Sequence, residues 1–376
     1  MKEMKHDKKR KCYTLIRVLG ITALALLMLV SITGAEPFAY ITNYQSDTVS
    51  IIDTDTGTVT ATVPVRDEPL GVAVTPDEKK VYVTHSWSLN IVSVIDTETD
   101  RVIATVNVGD DPWGVAVSPD GTKVYVANRN SNSISVIDTI TSKVTTNIYV
   151  GKWPQGVAVT PDGAHVYVIN FGSDTVSIIN TSSNTVATNV KVGSHPQGVA
   201  VTPNGENVFV TNSNSNSVSV IDTTTNTVTT TVSVGDWPSG VAVSPDGKKA
   251  YIANRNSNNV SVIDTATNKV IIDVFVGDGP WGVTVTPNGS QVYVANQFSN
   301  TISVIDTATN TVTGTVNVGS EPIAFGLFMG TLSDASNQNT KTIDANTRNS
   351  PLTAPSGFNY LILAAMTLLY LWNKSV

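Results

Sequence analysis

The sequence predicts an all-β fold, a seven-bladed β-propeller of four-stranded blades, and three observations carry that prediction. One unit of 42 or 43 residues recurs seven times, each unit holds four short alternating strands, and no segment between residues 36 and 330 has helical periodicity. A proline ahead of a Gly-Val-Ala-Val-like strand stands at Pro69, Pro112, Pro154, Pro196, Pro238, Pro280 and Pro322, spaced by 43 and then five times by 42 residues. The aromatic of a Tyr-Val-Ala-Asn-like segment falls at Tyr40, Tyr82, Tyr125, Tyr167, Phe209, Tyr251 and Tyr293. The isoleucine of an Ile-Asp-Thr-like triplet falls at Ile52, Ile95, Ile137, Ile179, Ile221, Ile263 and Ile305. Three independent markers agree on one period.

Within a unit the strands are the β-branched runs 114–118, 124–128, 134–138 and 144–150, separated by turn residues. Pro119-Asp120-Gly121 is a hairpin turn in which glycine supplies the positive φ. The recurring Asp96, Asp138, Asp222, Asp264 and Asp306 read as turn formers whose carboxylates accept backbone N–H bonds. Strands of this length and number hide their edges by closing into a ring. The chain enters at the second strand of a unit, residues 38–43, and ends on a lone first strand, residues 322–328. The first blade is therefore expected to be closed by an N-terminal and a C-terminal strand.

The propeller domain spans residues 36–330 and is flanked by two different ends. Residues 1–35 hold seven basic and two acidic residues, then an uncharged run ending in Ser31-Ile32-Thr33-Gly34-Ala35. This is a signal peptide cut after Ala35, or an uncleaved signal anchor, and either places the rest outside the cytoplasm. Residues 331–356 form a polar linker. Residues 357–376 carry an apolar run with Tyr360, Tyr370, Trp372 and Lys374, which suits a C-terminal transmembrane anchor or a sorting signal, with a helix packed on the domain as the plainer reading. The expected location is extracytoplasmic, at the cell surface, membrane-anchored.

Composition excludes whole classes of function. The net charge is −7 and 14% of residues are charged; without residues 1–35, 16 basic and 28 acidic residues leave −12, the opposite of a nucleic-acid binder. The single Cys12 cannot build a disulfide framework, a cysteine zinc site or a haem attachment motif.

Tyr125-Val126-Ala127-Asn128, Tyr167-Val168-Ile169-Asn170 and Tyr40-Ile41-Thr42-Asn43, with the Pro-x-Gly-Val-Ala-Val and Ile-Asp-Thr segments, resemble the YVTN-type β-propeller repeat family over residues 38–328. That resemblance implies kinship with archaeal surface-layer proteins and exported bacterial propellers, and with propellers found in lactonases and in cofactor-bearing reductases. The tandem immunoglobulin-like modules of many surface-layer members are absent from this chain.

No Walker loop, serine elbow or zincin helix occurs. Asp53-Thr54-Asp55-Thr56-Gly57 has the look of a calcium loop, but Pro64 stands where its final acid belongs. By strand order His85 and His195 fall in loops on one face and His165 on the other. Asn180, Asn259 and Asn288 head glycosylation sequons.

Departures from the repeat are the better guide to a site, because a fold needs the common residues and a site needs particular ones. The residue before each proline reads, around the ring, Glu321, Glu68, Asp111, Trp153, His195, Trp237 and Gly279. Two positions further on stand uneven apolar or amide groups, Trp113 and Trp281 among them. Asp67, Glu68, Asp110, Asp111 and Glu321 form an acidic arc, a candidate metal site for Ca2+ or another divalent cation. Trp87, Trp113, Trp153, His195, Trp237 and Trp281 form the candidate binding face at the channel mouth, unless the tryptophans only wedge between blades.

The expected function is a non-catalytic envelope or adhesion module that binds a glycan or a surface protein. The alternatives are an exported metal-dependent enzyme of the lactonase or hydrolase type and a structural surface-layer component.

Overall fold

The computed structural model describes residues 38–87 and 89–329, so the expected leader, the linker and the C-terminal anchor lie outside the described residues. Among the described residues no helix is long and apolar enough to cross a membrane. The fold is the expected propeller. Blade 1 contributes β1 (Phe38–Asn43), β2 (Thr48–Asp53) and β3 (Thr58–Pro64). Blade 2 contributes β4 (Pro69–Val74), β5 (Lys80–His85), β6 (Ile91–Asp96) and β7 (Arg101–Asn107). Blades 3 to 7 span 112–149, 154–191, 196–233, 238–275 and 280–317, each a four-stranded antiparallel sheet in chain order. The one helical turn among the described residues is a 3-10 turn, Ser213–Ser215.

The alternating pattern produces this stacking directly. Both faces of the three inner strands are buried, because each packs on a neighbouring blade. Between blades 2 and 3, Tyr82, Val92 and Val94 meet Val124, Val126 and Ile137. The fourth strand has only one neighbour of its own sheet and is half exposed, as in Lys143–Tyr149. In Asp138, Oδ1 accepts the Thr141 N–H at 2.7 Å and its hydroxyl at 2.7 Å, the turn-forming role read from the repeat.

Close approach around the central channel depends on the glycine of Pro-x-Gly. A Cβ at Gly71, Gly114, Gly156, Gly198, Gly240 or Gly282 would run into the backbone carbonyl of the next blade, for example Trp113 O against Gly71 and Gln155 O against Gly114. Blade 1 breaks this rule, since Ala324 occupies its glycine position. The chain leaves the strand path there with Ala324 at φ 47°, and Phe325 N donates to the Leu70 carbonyl of blade 2 at 3.3 Å. The expected C-terminal closing strand is accordingly not a strand. Blade 1 is a three-stranded sheet, and the segment after Pro322 makes isolated bridges instead. Ile323 N donates to Thr42 O and Tyr40 N to Phe328 O on one side, while Val72 N donates to Phe325 O on the other. The segment thus bulges from blade 1 towards β4.

Two further sequence readings are corrected. His85 is not in a loop: it ends β5, fully buried, and replaces the asparagine that ends the equivalent strand in the other six blades. Its ring nitrogens lie 3.0 Å from Asp67 O and 2.8 Å from Ser93 Oγ, and burial depresses its pKa. The partner change is Arg66, which stands where the other six blades have the glycine that packs on that asparagine. Asn259 lies buried in a strand, so its sequon is not accessible to a glycosyltransferase.

A candidate active site on the loop face

The residues before the prolines sit in a backbone frame that is the same in every blade. Glu68, Asp111, Trp153, His195, Trp237, Gly279 and Glu321 all have φ between 51° and 66°. For the six that are not glycine this left-handed conformation costs roughly 1 kcal/mol each, and the following proline disfavours it further. Hydrogen bonds offset that cost. Each N–H donates to an Asp or Asn Oδ1 21 residues earlier: Asp47, Asn90, Asn132, Asp174, Asn216, Asn258 and Asn300, at 2.8–3.1 Å. Each carbonyl accepts the N–H of the residue just past the Tyr-Val-Ala-Asn strand, as in Arg129 N to Asp111 O at 2.9 Å. The backbone is clamped on both sides, and the side chain is left to vary.

The second position after each of these residues surrounds the throat of the channel. Leu70, Trp281 and Ile323 meet Phe325 from the bulged segment, with Trp113 and Tyr44 against them. This apolar plug belongs to blades 7, 1, 2 and 3. Blades 4, 5 and 6 place Gln155, Gln197 and Ser239 at the same strand position, at most 3% exposed. On the opposite side of the plug the channel widens into a cavity of about 510 Å³ lined by inner-strand valines, alanines and glycines, the turn prolines and Leu327.

Around the throat, charge is organised by two arginines. Asp111, 2% exposed, accepts from Trp87 N at 2.9 Å and Trp113 Nε1 at 3.2 Å, and pairs with Arg129 at 3.3 Å. The Arg129 guanidinium lies 5.1 Å from the Trp113 ring and 5.4 Å from Trp153, a cation–π pair of contacts. Arg255 stands at the equivalent position of blade 6, 4.5 Å from Trp281 and 4.9 Å from Phe298, and donates to Gln297 Oε1 at 2.8 Å. Burial pulls its pKa below the ordinary arginine value. Gln297 in turn donates to Glu321 at 3.1 Å.

Glu68 is the carboxylate with a perturbed proton affinity on this face. Desolvation raises its pKa first, and the Tyr44 hydroxyl, hydrogen-bonded to it, offsets part of that rise. Asp47, Asp67 and Asp111 raise it again by repulsion. A half-buried carboxylate of raised pKa is suited to taking a proton from water near neutral pH.

The acidic arc does not act as a unit. Among the described residues no three His, Cys, Asp or Glu side chains are placed to hold a metal ion. Asp110 accepts from Asn90, Asp111 is taken by Arg129 and two tryptophans, Glu321 by Gln297, and Glu68 faces Tyr44. The candidate Ca2+ ligands Asp67, Glu68, Asp110, Asp111 and Glu321 are spread over three separate clamped loops.

The tryptophans also divide. Trp281 is buried and Trp113 half-buried in the plug, where they serve the core, while Trp87 and Trp153 are 65% and 47% exposed. Trp237 is half-buried, and His195 rests on Phe171 with ring centroids 4.6 Å apart. Sequence reasoning missed Arg129 and Arg255. The signal was there: the residue after each Tyr-Val-Ala-Asn strand reads Tyr44, Ser86, Arg129, Phe171, Ser213, Arg255 and Gln297, as uneven as the positions before the prolines.

The sequence model of the seven-bladed β-propeller lactonases matches residues 36–188 and 222–324, and that of YNCE-like β-propellers matches residues 157–250. A chain of the Kuenenia stuttgartiensis hydrazine synthase is similar at 30% identity, over 72% of this chain and 92% of that one, with a TM-score of 0.67. Candidate 6-phosphogluconolactonases of Bacteroides uniformis and Bacteroides fragilis share the fold at 20% and 22% identity. They cover 77% and 78% of this chain and 98% of each of theirs, with TM-scores of 0.65 and 0.64. No curated protein sequence matches. These likenesses correct the expectation of a non-catalytic adhesion module: the family matched over most of the propeller is one of lactonases, and the enzyme alternative is the reading that stands.

Proposed function

Because the chain belongs to the family of seven-bladed β-propeller lactonases, we propose that it hydrolyses a lactone on its loop face with Glu68 as general base. The family match is the observation that carries this reading. In the step proposed, water attacks the lactone carbonyl carbon while the Glu68 carboxylate takes its proton. The ring C–O bond of the tetrahedral intermediate then breaks, the ring oxygen leaves with that proton, and a hydroxy acid is the product. Tyr44 orients the carboxylate, and Trp153, held beside Arg129, supplies an exposed apolar wall. The repeats keep the YVTN-type pattern, and the basic and then apolar residues 1–35 support an extracytoplasmic enzyme, which cell fractionation tests.

The experiment is acid release from gluconolactone, followed in a pH-stat. Glu68→Gln should lower kcat/KM by about 10²-fold or more with an unchanged melting temperature. In the native protein, activity should fall as pH drops through the raised Glu68 pKa, above the ordinary glutamate value of about 4.3. A Glu68→Gln protein as active as the native one would remove the base from the mechanism.

A further inference from the structure

The cavity beyond the plug has a wall that the fold leaves unused. It holds about 510 Å³, within the range of ligand pockets, and among the described residues no charged side chain lines it. Its rim is preformed because the turns interlock: the Pro76 ring stands 3.5 Å from the Cβ position of Gly121 in the next blade. Valines, alanines and glycines of the innermost strands make most of the remaining wall.

Those strands are sheet edges, and their register fixes what the edges present. Thr75 N donates to Lys80 O, which makes Thr75 and Lys80 a hydrogen-bonded pair, and such pairs alternate along an antiparallel ladder. Val74, opposite Val81, therefore turns its N–H and C=O away from β5 and into the channel. Val117, Val159, Val201, Val243 and Val285 stand in the same register, and Val115, two residues before Val117, faces the same way. Blade 2 shows what such an edge takes. Val72 N donates to Phe325 O at 3.0 Å and Phe325 N to Leu70 O at 3.3 Å, so the extended closing segment lies parallel against β4. Among the described residues no segment lies so against the innermost strands of blades 3 to 7, which end their sheets at the cavity wall.

We propose that this cavity is a peptide site: a short extended peptide with small apolar side chains enters from the face of the Pro-Asp-Gly turns and pairs its backbone with the inner strand of one of blades 3 to 7. An extended chain repeats its N–H and C=O groups along one edge every two residues, the spacing at which Val115 and Val117 present theirs. A hydrocarbon chain would fill the volume but strip those groups of water and give them no partner. The inference is independent of the lactonase reading, whose site lies on the loop face.

The test is calorimetric titration of the full chain with acetyl-Val-Ala-Val-Ala-Val-amide, beside the analogue that has esters in place of its internal amides. The ester analogue keeps the extended shape and the apolar surface and loses the donors. The peptide should bind, and the analogue should bind at least about tenfold more weakly, the worth of two neutral hydrogen bonds. In the complex, the amide proton of at least one of Val117, Val159, Val201, Val243 and Val285 should exchange at least about tenfold more slowly than in the free protein. Ala158 lines the cavity and is partly exposed, and Ala158→Leu should weaken peptide binding by about tenfold. Equal binding of peptide and ester analogue would show that the cavity takes apolar bulk without pairing, and would overturn the assignment. Binding that leaves all five valine amides unprotected would place the peptide elsewhere on the molecule, with the same result. No binding of either compound at about 1 mM would remove the site altogether.

Discussion

The two faces of the ring are built from the same repeats and treat them oppositely. On the turn face six blades repeat both backbone and hydrogen-bonding side chains. The Ser or Thr hydroxyl ahead of the turn proline reaches the turn Asp or Asn in six blades, from Thr75 to Asp77 through to Thr286 to Asn288. On the loop face the backbone is repeated just as strictly, with seven left-handed residues and their Asx clamps, yet the side chains change from blade to blade. The difference separates two tasks of one sequence. Repetition builds the ring, and the variable positions on a repeated frame are free to make a site.

The largest effect should come from breaking the frame that both faces share. Gly114→Ala drives a methyl group into the Gln155 carbonyl, which belongs to the backbone of the next blade and cannot step aside. We expect a loss of about 3 kcal/mol, at the upper end for overpacking, seen as a lower urea midpoint. Gly57→Ala is the control. It meets nothing within 4 Å and carries only the left-handed penalty of about 1 kcal/mol at φ 63°.

A smaller effect should separate frame from site on the loop face alone. Asn132→Ala removes the bond to Trp153 N and places alanine at φ 51°, for a combined cost of about 2 kcal/mol. Trp153→Ala leaves the backbone clamp intact and removes an exposed ring, so its stability change should stay within about 1 kcal/mol while lactone turnover falls. Equal losses of stability in the two variants would mean that the Trp153 side chain is part of the frame.

The ring was legible in the sequence because its markers are periodic, and periodicity survives any ignorance of tertiary contacts. The clamp was half legible. The prolines pointed to the loops, but the asparagines and aspartates that hold them lie 21 residues away on the preceding blade, a distance at which pattern carries no sign of a hydrogen bond. The closing segment was misread because its departure is local: where the other six blades have the glycine it has Ala324 at φ 47°, and the residues that follow make a plug and not a strand. Within the acidic arc, sequence places carboxylates side by side and does not show that Asp111 is paired with Arg129.

The smallest effect belongs to the turn aspartates, and its sign is set by their titration. Hydrogen bonds from Thr141 N–H and hydroxyl hold the Asp138 carboxyl below the ordinary aspartate range, and Asp222, Asp264 and Asp306 are held down in the same way by their own threonines. A folded pKa below the unfolded one means stability that is fully present above the unfolded value of about 3.9 and is lost as pH falls through the folded value. Asp138→Asn keeps the turn geometry with a neutral acceptor. Its melting temperature should lie slightly below that of the native protein at pH 7, and the two curves should converge as pH falls from about 4 through the lower folded value, where the native carboxyl becomes neutral as well. Curves that stay parallel down to the acid transition would show that the charge of Asp138 contributes nothing to the ring, and that the turn is held by its shape alone.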